Sequence, residues 1–375
     1  MSGARHLYMH LPFCAQRCGY CDFVTVVGRR SQHGAYVDAL MAELELERPL
    51  LASHVDTLFL GGGTPTFTDP DHLRRLLRAL PPSEELTVEA NPETVTQRLA
   101  RMLRQLGVNR ISLGVQSFQP PLLAILDRVA QPDTVRRAFY HLRDAGFDNI
   151  SFDLIYGIPG QTAAELEADL ADALELGPEH LSCYELEAKR GTRFTHAHGA
   201  ELARQADAME SYFELVVERL TSAGYRWYET ANFCRTPASA GGRDLRARHN
   251  LAYWLGRDYL GLGVGAVSTI AGHRWRNTVR LPAYVQALSL GHRPSREVEP
   301  LPADVRNREL VMLGLRLDEP LRLAGLTDSL DDDALARLER LGLLRSSSDE
   351  AGAPTLVLTT RGRMLGGGVT ADLLA

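Results

Sequence analysis

LTVEANPETVTQRLARMLRQLGVNRISLGVQ, residues 86–116, reads as a strand, a helix and a second strand. The flanking runs LTVEAN (86–91) and NRISLGVQ (109–116) are rich in strand-forming residues. Between them Val95, Leu99, Met102, Leu103 and Leu106 fall on one face at the helical period, with Thr94 placed to cap the start and Gly107 to end it. The same unit recurs from residue 7 to about 190, giving six strands: LYMHLPF, VDTLFLGG (55–62), the two above, NISFDLIYG (149–157) and HLSCYELEA (180–188). Ahead of the last, Thr162 and Glu165 form a capping box before Leu166, Leu170, Ala173 and Leu174. Strands alternating with helices of this length predict an α/β fold with a parallel sheet and right-handed crossovers, either doubly wound or curled into a barrel. In both, ligands gather at the C-terminal strand ends. There the chain carries Cys14 to Cys21, GGGTPT (61–66), EANPE (89–93), QSF (116–118) and Asp153 to Pro159.

The stretch CAQRCGYCDF (14–23) sets three thiols in a C-x3-C-x2-C spacing. A structural zinc wants four protein ligands and a catalytic zinc three plus water, and no fourth Cys or His follows at finger or ribbon spacing. His10 lies in a strand and reads as a packing residue. A [4Fe-4S] cluster that only transfers electrons takes four thiolates. Three leave one iron open to a chelating amine and carboxylate, such as the methionyl end of S-adenosylmethionine. A structural zinc loop is the competing reading. Cys183 and Cys234 sit in apolar runs and read as small buried hydrophobes.

Composition narrows the class. The chain has 375 residues, is 45% hydrophobic and 23% charged, and carries a net charge of −6, which gives no global field for a phosphate backbone. Lys189 is the one lysine. No signal-peptide pattern opens the sequence and no 18-residue apolar run occurs, so a cytoplasmic protein is expected, with any membrane contact made through partners.

With an aromatic, Tyr20, before the last cysteine, the C-x3-C-x2-C segment resembles the radical S-adenosylmethionine enzymes. YMHLPFC, GGGTPT, EANPET, RISLGVQSF, DLIYGIPGQT, YETANF, HNLAYW and YLGLGVGAVS, in that order, are similar to the oxygen-independent coproporphyrinogen III oxidase group, most of all its HemW-like branch of heme chaperones. The resemblance implies a partial (β/α)6 barrel of the TIM type over residues 1–235, a barrel extension with the HNxxYW segment over 236–298, and a small, mainly helical, winged-helix-like domain over 299–375. It further implies that Cys14, Cys18 and Cys21 ligate the cluster and that Tyr8 and Tyr20 flank it and the adenine. Gly63 and Thr64 would meet the methionyl amine, and Glu89, Gln116, Arg128 and Asp153 would make further S-adenosylmethionine contacts. The implied function is binding of heme and its delivery to acceptor proteins such as respiratory enzymes, with no nucleic-acid partner. The alternatives are coproporphyrinogen III oxidation and a radical methyltransferase. No catalytic residue is assigned.

Several positions depart from the family pattern. Phe23 stands where the oxidases carry a further cysteine, and 13 residues precede Cys14 in place of a longer arm, both of which count against decarboxylation. LDRVA (126–130) has Asp127 and Ala130 where the pattern has Gly and His, and Lys189-Arg190-Gly191-Thr192 replaces E-P-G-T. A helical HNLAYW would set His249 and Tyr253 one turn apart with Trp254 beside them. Histidine can ligate heme iron and the rings can cover the macrocycle, while an aromatic core patch is the competing reading. His196 and His198 read as a solvated loop. One long helix is expected over about 202–223, and a β-like run at TLVLTTRGRMLG (355–366).

Overall fold

The alternation that makes these runs strands also decides what each face of the sheet carries. In the computed structural model, which describes residues 3–188 and 193–374, six parallel strands lie side by side in chain order: β1 (His6–Leu11), β2 (Val55–Gly62), β3 (Ser83–Ala90), β4 (Arg110–Gln116), β5 (Ile150–Tyr156) and β6 (His180–Glu185). Successive side chains point to opposite faces. Leu7, Met9, Leu58, Leu60, Leu86, Val88, Ile111, Leu113 and Phe152 pack into one apolar core with the helices. The alternate positions, among them Tyr8, Glu89, Arg110, Ser112, Asp153 and His180, form the opposite, polar face. Burying one face of several hundred Å² at about 25 cal/mol per Å² holds the helices on, and leaves the inner face free for polar groups.

The sheet continues past the parallel strands on both sides. Beyond β6 come β8 (Asn232–Arg235) and then β7 (Tyr225–Glu229), both antiparallel pairings; beyond β1 come β9 (Tyr259–Leu262), parallel to it, and antiparallel β10 (Val267–Ile270), β11 (His273–Asn277) and β12 (Arg296–Pro300). The result is an open, partial barrel with added strands. One buried carboxylate pins the extension to the first helix, α1 (His33–Glu47): Glu43 accepts from Gly263 N, Asn277 Nδ2 and Tyr284 Oη at 2.8, 2.7 and 2.6 Å.

Local predictions are met unevenly. The capping box is present: Thr162 Oγ1 accepts from Glu165 N, Glu165 accepts from Thr162 N, and Gly177 ends the helix Ala163–Leu176 at φ 66°. In the opening unit the cap is Thr96, not Thr94. Thr96 accepts from Leu99 N, while Thr94 turns back to donate to Asn91 O at 2.7 Å. The reason is Pro92, which starts a separate 3-10 turn over Pro92–Thr94. The expected long helix is two, Arg193–Gln205 and Met209–Ser222, broken by a 3-10 turn at Ala206–Ala208. The break lets Gln205 grip the loop after β5, accepting from Gly160 N and donating to Gln161 O. His196 and His198 therefore lie on a helix rather than a loop, His198 beside Glu201 at 3.2 Å. Lys189 to Thr192, the second departure from the family pattern, lie outside the described residues.

After residue 300, the helices Ala303–Gly314 and Asp332–Arg340 pack with a three-stranded antiparallel sheet, β13 (Leu321–Arg322), β15 (Pro354–Leu358) and β14 (Leu344–Ser348) in that order, around an apolar cluster of their own. The β-like run ends sooner than expected. Thr359 accepts from Gly362 N and starts the helix Thr360–Met364, followed by the helix Gly366–Leu373. Arg226 ties this unit to the barrel through Asp318 and Glu319, and Arg316 through Glu229. Among the described residues no helix is long and apolar enough to cross a membrane.

Candidate functional site

The cysteine loop leaves β1 and is stapled at its base. Val26 N donates to Pro12 O and Gly28 N to Cys14 O, both at 2.8 Å, and buried Phe13 anchors the turn against Tyr36 and His33. Tyr20 packs on a satellite apolar cluster containing Leu122, Leu126, Ile155 and Phe194, so the loop is held from both sides. Asp127 occupies the glycine position of LDRVA at φ 55°, the left-handed region that aspartate tolerates better than most residues. Its carbonyl accepts from Gln16 Nε2 on the cysteine loop at 3.1 Å.

A chain of hydrogen bonds joins two of the three thiols. Thr64 Oγ1 donates to Cys14 Sγ at 3.5 Å, Asn91 Nδ2 donates to Thr64 Oγ1 at 3.1 Å, and Arg128 Nη2 donates to Asn91 Oδ1 at 3.0 Å and to Gly114 O at 2.8 Å. Arg128 Nη1 completes it on Cys18 Sγ at 3.7 Å. Every sulfur contact in the chain is a donor, which suits thiolates. Burial raises the thiol pKa of Cys14 and Cys21, so a cation is needed to draw the protons off. Three thiol donors on one short loop, with a fourth position left to a ligand, suit a soft metal centre. The donor set fits an iron–sulfur cluster held by three thiolates. Asn91 was not singled out as a ligand-handling residue in the sequence, although the EANPE motif contains it.

Beside the loop, glycine is required for close approach. A Cβ on Gly63 would lie 2.6 Å from the Pro12 carbonyl and 3.0 Å from Cys14 Sγ. Gly62, at φ 112°, donates its N–H to Glu89 Oε2 at 3.0 Å. On the next strands Asp153 accepts two contacts from Ser112 Oγ at 3.1 and 3.0 Å. Burial first, then the charge of Asp153, pushes Glu89 up to about 7, and burial pushes Asp153 up to about 6. Gln116 sits at φ 68° where the β4–β5 register slips, a strained backbone at the strand end.

Cys14, Cys18, Tyr20, Cys21, Gly63, Thr64, Glu89, Gln116, Arg128 and Asp153 thus line one cavity of about 1330 Å³, open at the C-terminal strand ends and walled on its far side by residues after 312. Tyr8 is the exception. It lies inside the barrel opposite Phe59, its hydroxyl on His10 Nδ1 at 3.0 Å. Cys234 is buried in the packed interior as expected, and Cys183 is buried at the cavity wall.

The heme residues expected from HNLAYW are not brought to this cavity. The segment is helical, Arg248–Trp254, but it closes the opposite, N-terminal end of the barrel. His249 is 1% exposed and uses both ring nitrogens, Nδ1 with Thr57 Oγ1 at 2.7 Å and Nε2 with Tyr253 Oη at 2.9 Å. Its backbone N–H donates to Glu85, its ring stacks on Phe59, and burial lowers its pKa to about 3. With both nitrogens engaged, the imidazole has none to offer iron in this structure. Trp254 lies under the Arg316 guanidinium, 4.5 Å from its centre.

The model of the radical SAM superfamily matches residues 8–173. The heme chaperone HemW of Mycobacterium tuberculosis (strain ATCC 25618 / H37Rv) is 38% identical over 382 residues, covering 98% of this chain and 94% of that one. HemW of Bacillus subtilis (strain 168) is 33% identical, covering 96% of each. Among solved structures, coproporphyrinogen III oxidase (HemN) from Escherichia coli, a radical SAM enzyme, superposes with a TM-score of 0.80 at 26% identity, covering 99% of this chain and 90% of that one. The chain belongs to the radical SAM superfamily and, within it, to the family of the HemW heme chaperones.

Proposed function

We propose that this chain is a heme chaperone which holds a [4Fe-4S] cluster on Cys14, Cys18 and Cys21, binds S-adenosylmethionine beside it, and receives heme for delivery to acceptor proteins such as respiratory enzymes in the cytoplasm. The observation that carries the reading is the single cavity shared by the three thiols and by Gly63, Thr64, Glu89, Gln116, Arg128 and Asp153. When bound, the cluster supplies an open iron coordination position and an electron source. The chain's own residues do the rest. Arg128, fixed by Asn91 and Gly114 O and lining the cavity, offers a guanidinium charge to a carboxylate. Glu89 and Asp153 accept from hydroxyl or ammonium donors once ionised.

Coproporphyrinogen III oxidation, the activity in the name of the structural relative, is less well supported. Phe23 stands at the further cysteine's place and is 66% exposed at the cavity rim. The test is a titration of heme into protein reconstituted with iron and sulfide without oxygen. One heme per chain with a Soret shift is the expected result. No saturable heme binding, or protoporphyrinogen formed from coproporphyrinogen, would reject the reading.

A further inference from the structure

The helices outside the sheet carry charge that the cysteine mouth does not use. Two of them, α2 (Pro70–Ala79) and α3 (Gln97–Gln105), follow successive strands and lie side by side. Each buries a leucine stripe against the sheet and turns its polar face outward. Between them runs a groove of about 480 Å³, lined by Arg74, Arg78, Arg98 and Arg101 together with Met102 and Leu106. No Asp or Glu is among the described residues that line it.

The arginines of the groove differ from their neighbours in how they are paired. On the same two helices Arg75 pairs with Asp38, and Arg104 donates to Gly146 O at 3.2 Å. In the groove Arg74 pairs with the exposed Asp71 at 2.6 Å, but Arg78, Arg98 and Arg101 have no hydrogen bond or ion pair among the described residues. Arg74 and Arg78 stand four residues apart and Arg98 and Arg101 three, so each pair shares one helix face and like charges meet along and across the groove. Anions set between the guanidiniums relieve that repulsion. The chain as a whole carries a net charge of −6, so the patch is not a sample of a generally basic surface.

We propose that this groove docks an acidic segment of a partner protein, with its carboxylates on Arg78, Arg98 and Arg101. Planar carboxylates meet guanidinium forks two hydrogen bonds at a time. All three arginines are exposed, so a small anion would stay largely in water, outside the enclosure that small-ligand sites provide. An extended acidic chain reaches several guanidiniums at once. A membrane surface is gripped by apolar side chains beside the charges, and none of the exposed large apolar residues lies on α2 or α3. The groove shares no lining residue with the cysteine cavity, so the proposal stands apart from the heme-chaperone reading.

The test uses the full chain and a fluorescein-labelled hexaglutamate peptide, followed by fluorescence anisotropy at physiological ionic strength, where charges are screened beyond about 8 Å. Saturable one-to-one binding is expected, weakened at least about tenfold by the combined substitution Arg78→Glu, Arg98→Glu and Arg101→Glu. A second combined variant, Arg280→Glu, Arg306→Glu and Arg345→Glu, makes the same change of net charge at exposed positions elsewhere and should bind within about twofold of the parent. Both variants should keep the parent's circular dichroism spectrum and its iron content after reconstitution. Equal losses in the two variants, which report net charge alone, or a parent Kd weaker than about 1 mM, would overturn the proposal. So would tighter binding of ATP, or of vesicles containing phosphatidylserine, than of the peptide through the same three arginines.

Discussion

The two ends of the barrel are built from similar residues and put to opposite uses. At the N-terminal end, His249 and His180 each engage both ring nitrogens, with Thr57 and Tyr253 in one case and Ser151 and Tyr228 in the other, and Glu85 accepts from the N–H groups of Arg248 and His249. At the C-terminal end Glu89 and Asp153 are held near neutrality by burial, Arg128 lines the cavity, and Gln116 carries backbone strain. Polar groups that satisfy one another hold a structure together, whereas polar groups left short of partners await a ligand. By that criterion the His249 imidazole belongs to the closure of the barrel, although Trp254 Nε1 and Arg110 Nε at that end are themselves without partners among the described residues, and the binding site we propose is the cysteine mouth.

Four perturbations break or sharpen this contrast. Cys18→Ala should have the largest effect, removing essentially all bound iron and the brown absorbance after anaerobic reconstitution; iron retained at the parent level would remove Cys18 from the ligand set. His249→Ala should cost about 2–4 kcal/mol of stability, from the cavity and the orphaned hydroxyls of Thr57 and Tyr253. Chemical denaturation should report that loss, and a heme titration of the same variant separates a structural role of the imidazole, which leaves heme affinity within about twofold, from a ligand role, which abolishes it. Glu89→Gln should weaken S-adenosylmethionine by about tenfold, the worth of one hydrogen bond to a charged group, by equilibrium dialysis. Because the folded pKa of Glu89 is raised to about 7, its contribution to stability is full below the unfolded value of about 4.5 and is lost as pH rises through 7. The variant should therefore be more stable than the parent by about 1–2 kcal/mol at pH 8, and S-adenosylmethionine should bind the parent more tightly at pH 8 than at pH 5.5. Thr162→Ala is the smallest, about 1 kcal/mol from the lost cap, with ligand binding unaffected.

How legible these ends were in the sequence follows from where their partners lie. The mouth is assembled from short motifs at successive strand ends, so Cys14 to Cys21, Gly63, Glu89 and Asp153 could be nominated one loop at a time. The base could not. Thr57 and Glu85 meet His249 across 192 and 164 residues, and an imidazole beside two aromatics looks the same in sequence whether it faces a core or a porphyrin. Tyr8 shows the limit within one strand, since its motif is right and its position, three residues short of the mouth, is set by sheet register. The C-terminal wall was hidden differently: Arg363 falls in a run that reads as strand, and the Thr359 cap turns it into a helix facing the cavity. The misplaced cap at Thr94 has the same origin, a local proline outweighing a periodicity that was itself correct.

The most direct test of the central claim is electron paramagnetic resonance of the reduced, anaerobically reconstituted protein with and without S-adenosylmethionine. A cluster on three thiolates with one iron open should give a [4Fe-4S]+ signal whose g values shift when the nucleotide is added, and Glu89→Gln should need more nucleotide to produce the same shift. A signal unmoved by saturating S-adenosylmethionine, or zinc in place of iron in the purified protein, would contradict it.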